Sequence, residues 1–286
     1  MRPANIVTSV ADVLAGIAIS GYFAQLEITV ATVLPVLLLC LSTIGLYGGG
    51  VVMNDVFDAG LDKIERPERP IPSGLINIGE AATLGITLLI AGILAAFLTN
   101  STSGIIAFLV ALSAVVYDKW GKHHSFLGPV NMGLCRGLNL LLGISILAFA
   151  VNTWWFLAIV PIIYIASITM ISRGEVHGGS RTVLYAASFL YGLVISFILY
   201  FSFVQGKVWF ALIFLLPFTW MIFTPLLKAI KEPVGKNIGK AVKAGVLALI
   251  LMNAAWAAAF GSLYLALLII LLLPLSFKLG RIFAVT

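Results

Sequence analysis

The chain has 286 residues, of which 61% are hydrophobic and only 10% charged, with a formal net charge of +6. A soluble globular chain carries about 25% charged residues, so this composition excludes a water-solvated globule and points to lipid as the solvent. The positive charge does not make a nucleic-acid surface, because the basic residues sit in connections between long apolar runs.

In chain order, apolar segments long enough to cross a bilayer as helices are predicted at about 10–26, 30–53, 79–99, 103–117, 131–150, 154–172, 182–203, 207–227, 241–258 and 262–279. The run at 103–117 is short, and the last two could form one re-entrant pair, so the count is nine to ten. The runs are continuously apolar and not alternating, which favours helices over a barrel. They recur along the whole length, so residues 1–286 are expected to form one all-α, polytopic integral-membrane domain with no cleavable signal peptide. Cys40 and Cys135 both fall in apolar runs and read as packed small side chains.

The connections after segments two, four, six and eight, taken with both chain ends, hold every Lys and Arg except Lys207. The positive-inside rule makes that side cytoplasmic, in what is expected to be the cell's inner membrane. The opposite connections are short and contain one acid, Glu27. Candidate chemistry is therefore expected on the cytoplasmic side. Trp154–Trp155 reads as an interface belt on the other edge. The loop "KEPVGKNIGKAVK", 231–243, reads as a basic rim for anionic head groups.

The second segment runs into "NDVFDAGLDKIERPERPIPSG", residues 54–74. If its helix continues past Met53, Asn54, Asp58 and Asp62 fall at i, i+4 and i+8 on one face, with Asp55 beside them. Three carboxylates crowded on one stripe repel one another and need a cation. Mg²⁺ takes oxygen ligands and binds through one or two carboxylates plus substrate phosphates, so the stretch reads as a Mg²⁺–diphosphate site. The competing reading is a solvated helix end whose acids pair with Lys63, Arg66 and Arg69. The prolines end the helix, and Ser73–Gly74 turns the chain toward the next span.

This stretch closely resembles the first aspartate-rich motif of the UbiA superfamily of intramembrane prenyltransferases, Asn-Asp-x-x-Asp-x-x-x-Asp followed by Arg-Pro-Ile-Pro-Ser-Gly. The opening "MRPANIVTSVADVLAG" also looks like that family's first helix. The resemblance implies a helical bundle around a central, lipid-open cavity. It implies Asn54, Asp58 and Asp62 on a Mg²⁺ ion that holds a polyprenyl diphosphate, with Asp55 in support. The implied partners are that donor and a hydrophobic acceptor whose identity the sequence leaves open.

The connection after the fourth segment, "YDKWGKHHSFLGPVNMGLCRGLN" at 117–139, offers Tyr117 and Lys122 where the family carries Tyr and a Lys-Arg pair; His123 replaces the arginine. Lys122 is a competent point charge for phosphate. Arg136 lies inside the next span, a functional candidate by its depth, and is expected to face the cavity with Asn131 and Asn139 near it; snorkelling to the interface is the alternative. The pair His123–His124 reads as loop surface. After the sixth segment, "SRGEVHGGSRTVLY" at 172–185 stands where the family places a second acidic motif. Counted back from Thr182, Gly179 fits the motif glycine and Glu175 its last acid, while Ile171 and Ile168 take earlier acidic positions. One acid remains, with His177 beside it and Arg173 and Arg181 flanking it. The glycines at 174, 178 and 179 could admit a phosphate or simply loosen the loop. These variants look most like the UbiA-like branch called EboC.

Asp58, Asp62, Lys122 and Glu175 are thus the expected catalytic groups. Asn54, Asp55, Tyr117, Asn131, Arg136, Arg173 and Arg181 are expected to bind substrate. Asp12, buried in the first span, must face the cavity or pair with a neighbouring helix. The expected activity is prenyl transfer. The alternative is a non-catalytic relative that binds, presents or translocates a prenyl lipid. An ion-coupled transporter fits less well, because the acids crowd one face.

Overall fold

The structure, a computed structural model, describes residues 3–25, 29–124, 126–176 and 178–282. Arg2, Glu27 and His177 lie outside the described residues, as do the side chains of His123 and Arg281. The described chain is helical, with ten successive long segments: α1 (Pro3–Ser20), α2 (Val30–Glu65), α3 (Ile78–Phe97), α4 (Ser101–Lys119), α5 (Leu127–Ile144), α6 (Ala148–Ser172), α7 (Arg181–Val204), α8 (Val208–Lys231), α9 (Gly235–Ala259) and α10 (Leu263–Gly280). Among the described residues, nine of these are long and apolar enough to cross a membrane; α5 is the tenth segment and does not reach that apolarity. Its interior Arg136, Asn131 and Asn139 are the reason. The chain is an integral, multi-pass membrane protein.

The helices form a ring in which sequence neighbours lie side by side, and α1 sits inside against α2, α5, α9 and α10. Little hydrophobic force joins helices in lipid, so close backbone approach through small residues has to supply packing. Gly45, Gly49, Gly85 and Gly92 seat α2 on α3. A methyl added at Gly92 would stand 2.8 Å from the Ser42 carbonyl oxygen, and one at Gly45 2.8 Å from that of Leu88. Gly16 and Gly143 cross at the α1–α5 contact, and Gly137 meets the Ala158 carbonyl of α6 at 2.8 Å by the same measure. The alanine-rich end of α9, Ala254 to Ala259 around Trp256, is fully buried. Leucines, phenylalanines and tryptophans such as Leu34, Trp209 and Trp220 cover the outer faces.

The turns sort into two ends. Arg173 Nη2 donates to the His124 carbonyl (3.0 Å), Arg181 Nη2 to that of Lys231 (3.2 Å), and the Gly179 N–H to that of Pro233 (3.1 Å). The loops after α4, α6 and α8 therefore meet at one end. At the other, Asn100 Nδ2 donates to the Ser145 carbonyl (2.8 Å), and Trp154 lies edge-on to Phe260 with ring centroids 5.0 Å apart. The division matches the loop sorting that the charges predict.

Candidate active site at the mouth of the cavity

At about 1.5 Å per residue, the 36 residues of α2 are longer than a bilayer core requires. Its last turns, 54–65, therefore stand beyond the hydrocarbon, and Arg66, the residue before Pro67, ends the helix. Gly74, with φ of 81°, supplies the turn into α3.

One cavity of about 410 Å³ lies between α1, α2, α4, α5, α6 and α9. Leu46, Val51, Val110, Met132, Ile165, Ile168, Val246 and Leu249 supply its apolar walls, with Asn5, Ser9, Thr169 and Ser172 among its polar lining. At its mouth stand Asn54, Asp58, Tyr117, Asp118 and Lys122, and further inside Thr43, Tyr47, Arg136 and Asn139.

Lys122 Nζ pairs with Asp58 Oδ1, and Asn54 Nδ2 donates to Asp118 Oδ1 at 2.9 Å. Asp118 is buried, at 5% exposure. It is not among the residues the sequence predicts for the site, because its neighbours Lys119 and Lys122 make the stretch look basic. Its one sequence signal is an acid in the last turn of a span, four positions before Lys122.

Asp62 is not at this mouth. Arg69 Nη1 donates to Asp62 Oδ2 at 2.7 Å and lies 3.6 Å from Asp55 Oδ1. The helical period explains the separation. Each i+4 step drifts about 40° around the axis, so Asp62 lies about 80° from Asn54, whereas the seven-residue step from Asp55 to Asp62 drifts only about 20°. Asn54 and Asp58 face the cavity; Asp55 and Asp62 face the Arg69 loop and hold it to the helix.

The remaining expected residues scatter. Asn131 leans on α4, its amide oriented to donate to the Ser113 carbonyl and accept from the Tyr117 N–H, both at 3.1 Å. Arg173 and Arg181 tie loops together through the carbonyls named above. Glu175 lies on the turn packed against Gly235 and does not line the cavity. Gly178, with φ of 85°, seats this turn under the Pro233 carbonyl, while Gly174 and Gly179 make room for Ile238. Ile168 lines the cavity wall and Ile171 is buried, so the positions where the resemblance implies acids are hydrocarbon.

Arg136 turns inward. Its Nη1 donates to Asp12 Oδ2 and its Nη2 to Thr8 Oγ1, both at 2.7 Å, and its guanidinium stands 5.4 Å from the centre of the Tyr47 ring. Asn139 (3.1 Å) and Asn253 (2.7 Å) donate to the same carboxylate, and Thr43 donates to Asn139 Oδ1 at 2.7 Å. Asp12 thus pairs with a neighbouring helix, and Arg136 does not snorkel.

A sequence profile of the UbiA prenyltransferase family matches residues 13–240. The chain belongs to that family. Among relatives, the digeranylgeranylglyceryl phosphate synthase of Saccharolobus solfataricus is 37% identical over 136 residues, covering 47% of this chain and 48% of the relative. The chain thus matches about half the length of such relatives. A solved apo UbiA homologue from Aeropyrum pernix superposes with a TM-score of 0.73 at 15% identity, covering 89% of this chain and 98% of the other. A UbiA homologue from Archaeoglobus fulgidus, solved bound to DMAPP and Mg²⁺, gives 0.57 at 15% identity, covering 87% and 99%. At such identities the two structures establish the UbiA fold.

The donor set at the mouth fits Mg²⁺. It offers only oxygens to a cation, from two carboxylates and one amide, and an ammonium already stands against Asp58. Among the described residues no three His, Cys, Asp or Glu side chains cluster closely enough to cage a metal.

Proposed function

We propose that this UbiA-family chain transfers the prenyl group of a polyprenyl diphosphate to a hydroxyl of a glyceryl phosphate lipid. The observation that carries the reading is the meeting of Asn54, Asp58 and Lys122 at the mouth of a hydrocarbon-walled cavity. The acceptor class rests on the relatives, which are digeranylgeranylglyceryl phosphate synthases. The positively charged end of the bundle, with this mouth, is proposed to face the cytoplasm. The EboC-like loops would mark a branch that manages with one acid after α6.

In this reading Asn54 and Asp58 hold Mg²⁺, which when bound neutralises diphosphate charge as the leaving group departs. Lys122 exchanges Asp58 for a diphosphate oxygen. The donor's C1–O bond breaks and its electron pair leaves with pyrophosphate. The acceptor oxygen forms the new bond to C1 and gives up its proton to the departing pyrophosphate. Leu46, Val110 and Ile165 keep water from the allylic cation. Asp55 and Asp62 act through the Arg69 loop instead of touching the metal.

The test is pyrophosphate release by purified protein in nanodiscs, with Mg²⁺, geranylgeranyl diphosphate and a mono-prenylated glyceryl phosphate. Release that needs Mg²⁺ and is lost in Asp58→Ala is expected. No release from donors of several lengths, with Asp58→Ala indistinguishable from wild type, would overturn the reading. A second reading, a prenyl-lipid binder without turnover, is favoured by Glu175 lying off the cavity. An intact isoprenoid that co-purifies and survives Mg²⁺ and acceptor would establish it.

A further inference from the structure

Asp118 has no role in the proposed function, yet it lines the mouth beside Asn54. Helices α2 and α4 lie side by side and both descend to the same end of the bundle. One carries Asn54-x-x-x-Asp58 two turns before its end at Glu65; the other carries Asp118 in its last turn and continues through a 3₁₀ turn that holds Lys122. The two patterns meet rung to rung. Asn54 pairs with Asp118 and Asp58 with Lys122, each across 64 residues. The four-residue step is one turn, about 6 Å, on an α-helix.

The rungs differ in what they do to their α2 partner. Lys122 covers a carboxylate, and a metal-bound diphosphate would draw that ammonium away. Asp118 is an acceptor only when ionised, so it can hold the nitrogen edge of Asn54 and never the oxygen edge. We propose that Asp118 is a positioning residue for the metal: by holding Asn54 Nδ2 it directs Asn54 Oδ1 to the same site as Asp58. Hydrogen-bonded partners of metal-binding groups orient them in this way, and their loss weakens metal binding by about 10- to 100-fold. The proposal rests on the metal–diphosphate reading above.

A simple tie between helices would change stability and not metal affinity, and that difference is measurable. Mn²⁺ is titrated into detergent-solubilised protein with inorganic pyrophosphate, free Mn²⁺ is read by electron paramagnetic resonance, and Tm is recorded for each variant. Asp118→Asn is expected to weaken Mn²⁺ binding by about 10- to 100-fold with Tm close to wild type. Asp118→Asn combined with Asn54→Ala should bind no more weakly than Asn54→Ala alone. If Asp118→Asn does not purify folded, Asp118→Ser carries the same expectation. Wild-type Mn²⁺ affinity in the Asp118 variants, or losses that add in full, would overturn the proposal. Wild-type protein that binds no Mn²⁺ with pyrophosphate would instead remove the metal–diphosphate reading, and the proposal with it.

Discussion

Replacing Arg136 with methionine strands a charge in the middle of the bundle. Asp12 is 1% exposed, and its contacts are the Arg136 guanidinium at 2.7 Å and the amides of Asn139 and Asn253. Without the guanidinium, two neutral amides face a buried carboxylate. Breaking a buried ion pair from one side costs about 3–5 kcal/mol. Removing both charges, in Asp12→Leu with Arg136→Met, costs differently. It gives up the hydrogen bonds of Arg136 to Asp12 and Thr8 and those of Asn139 and Asn253 to Asp12. Interhelical bonds in membranes average about 0.6 kcal/mol each, so the sum is about 2 kcal/mol. The double variant should therefore be more stable than Arg136→Met by about 1–3 kcal/mol, the difference of those two figures. Reversible unfolding by SDS in mixed micelles, followed by tryptophan fluorescence, measures both. A double variant that unfolds as early as the single, or earlier, would refute the view that the pair matters through its uncompensated charge.

The remaining predictions separate groups that the sequence places together. Asp58→Ala should lower Mg²⁺-dependent donor binding by at least about 10-fold, the scale of a lost charge-assisted contact, whereas Asp62→Ala should mainly free the 66–76 loop. Limited proteolysis of that loop, alongside titration with labelled donor, tells the two apart, and equal losses of donor binding would return Asp62 to the metal. Glu175→Gln should leave donor binding within about twofold, as expected of a substitution away from the site, and a larger loss would bring that turn into the cavity. Gly92→Val must displace the Ser42 carbonyl, so the SDS midpoint should fall by the equivalent of about 1–3 kcal/mol. A midpoint equal to wild type would mean α2 and α3 are less closely seated than described.

Span positions and loop sorting were legible because lipid imposes them. A chain with 61% hydrophobic residues must bury its backbone in helices of bilayer length, and that requirement leaves the same mark on every segment. In α5, Arg136 and Asn139 dilute the apolar run, and their partners on α1 and α2 appear only once the helices are assembled. The motif at 54–74 stands out equally, since five acids, three bases and three prolines between two apolar runs are not what lipid requires.

The membrane class, the two ends of the bundle and the stretch on which the proposed chemistry rests are therefore legible in the sequence alone. Tertiary structure alone decided which acids share a site. In one dimension Asn54, Asp58 and Asp62 form a regular series. In three, the drift of the helix carries Asp62 round to Asp55, where Arg69 holds both, and α4 brings Asp118 to Asn54 from 64 residues away. Spacing along a chain records the period of its own helix; it holds no record of what a neighbouring helix sets against each face.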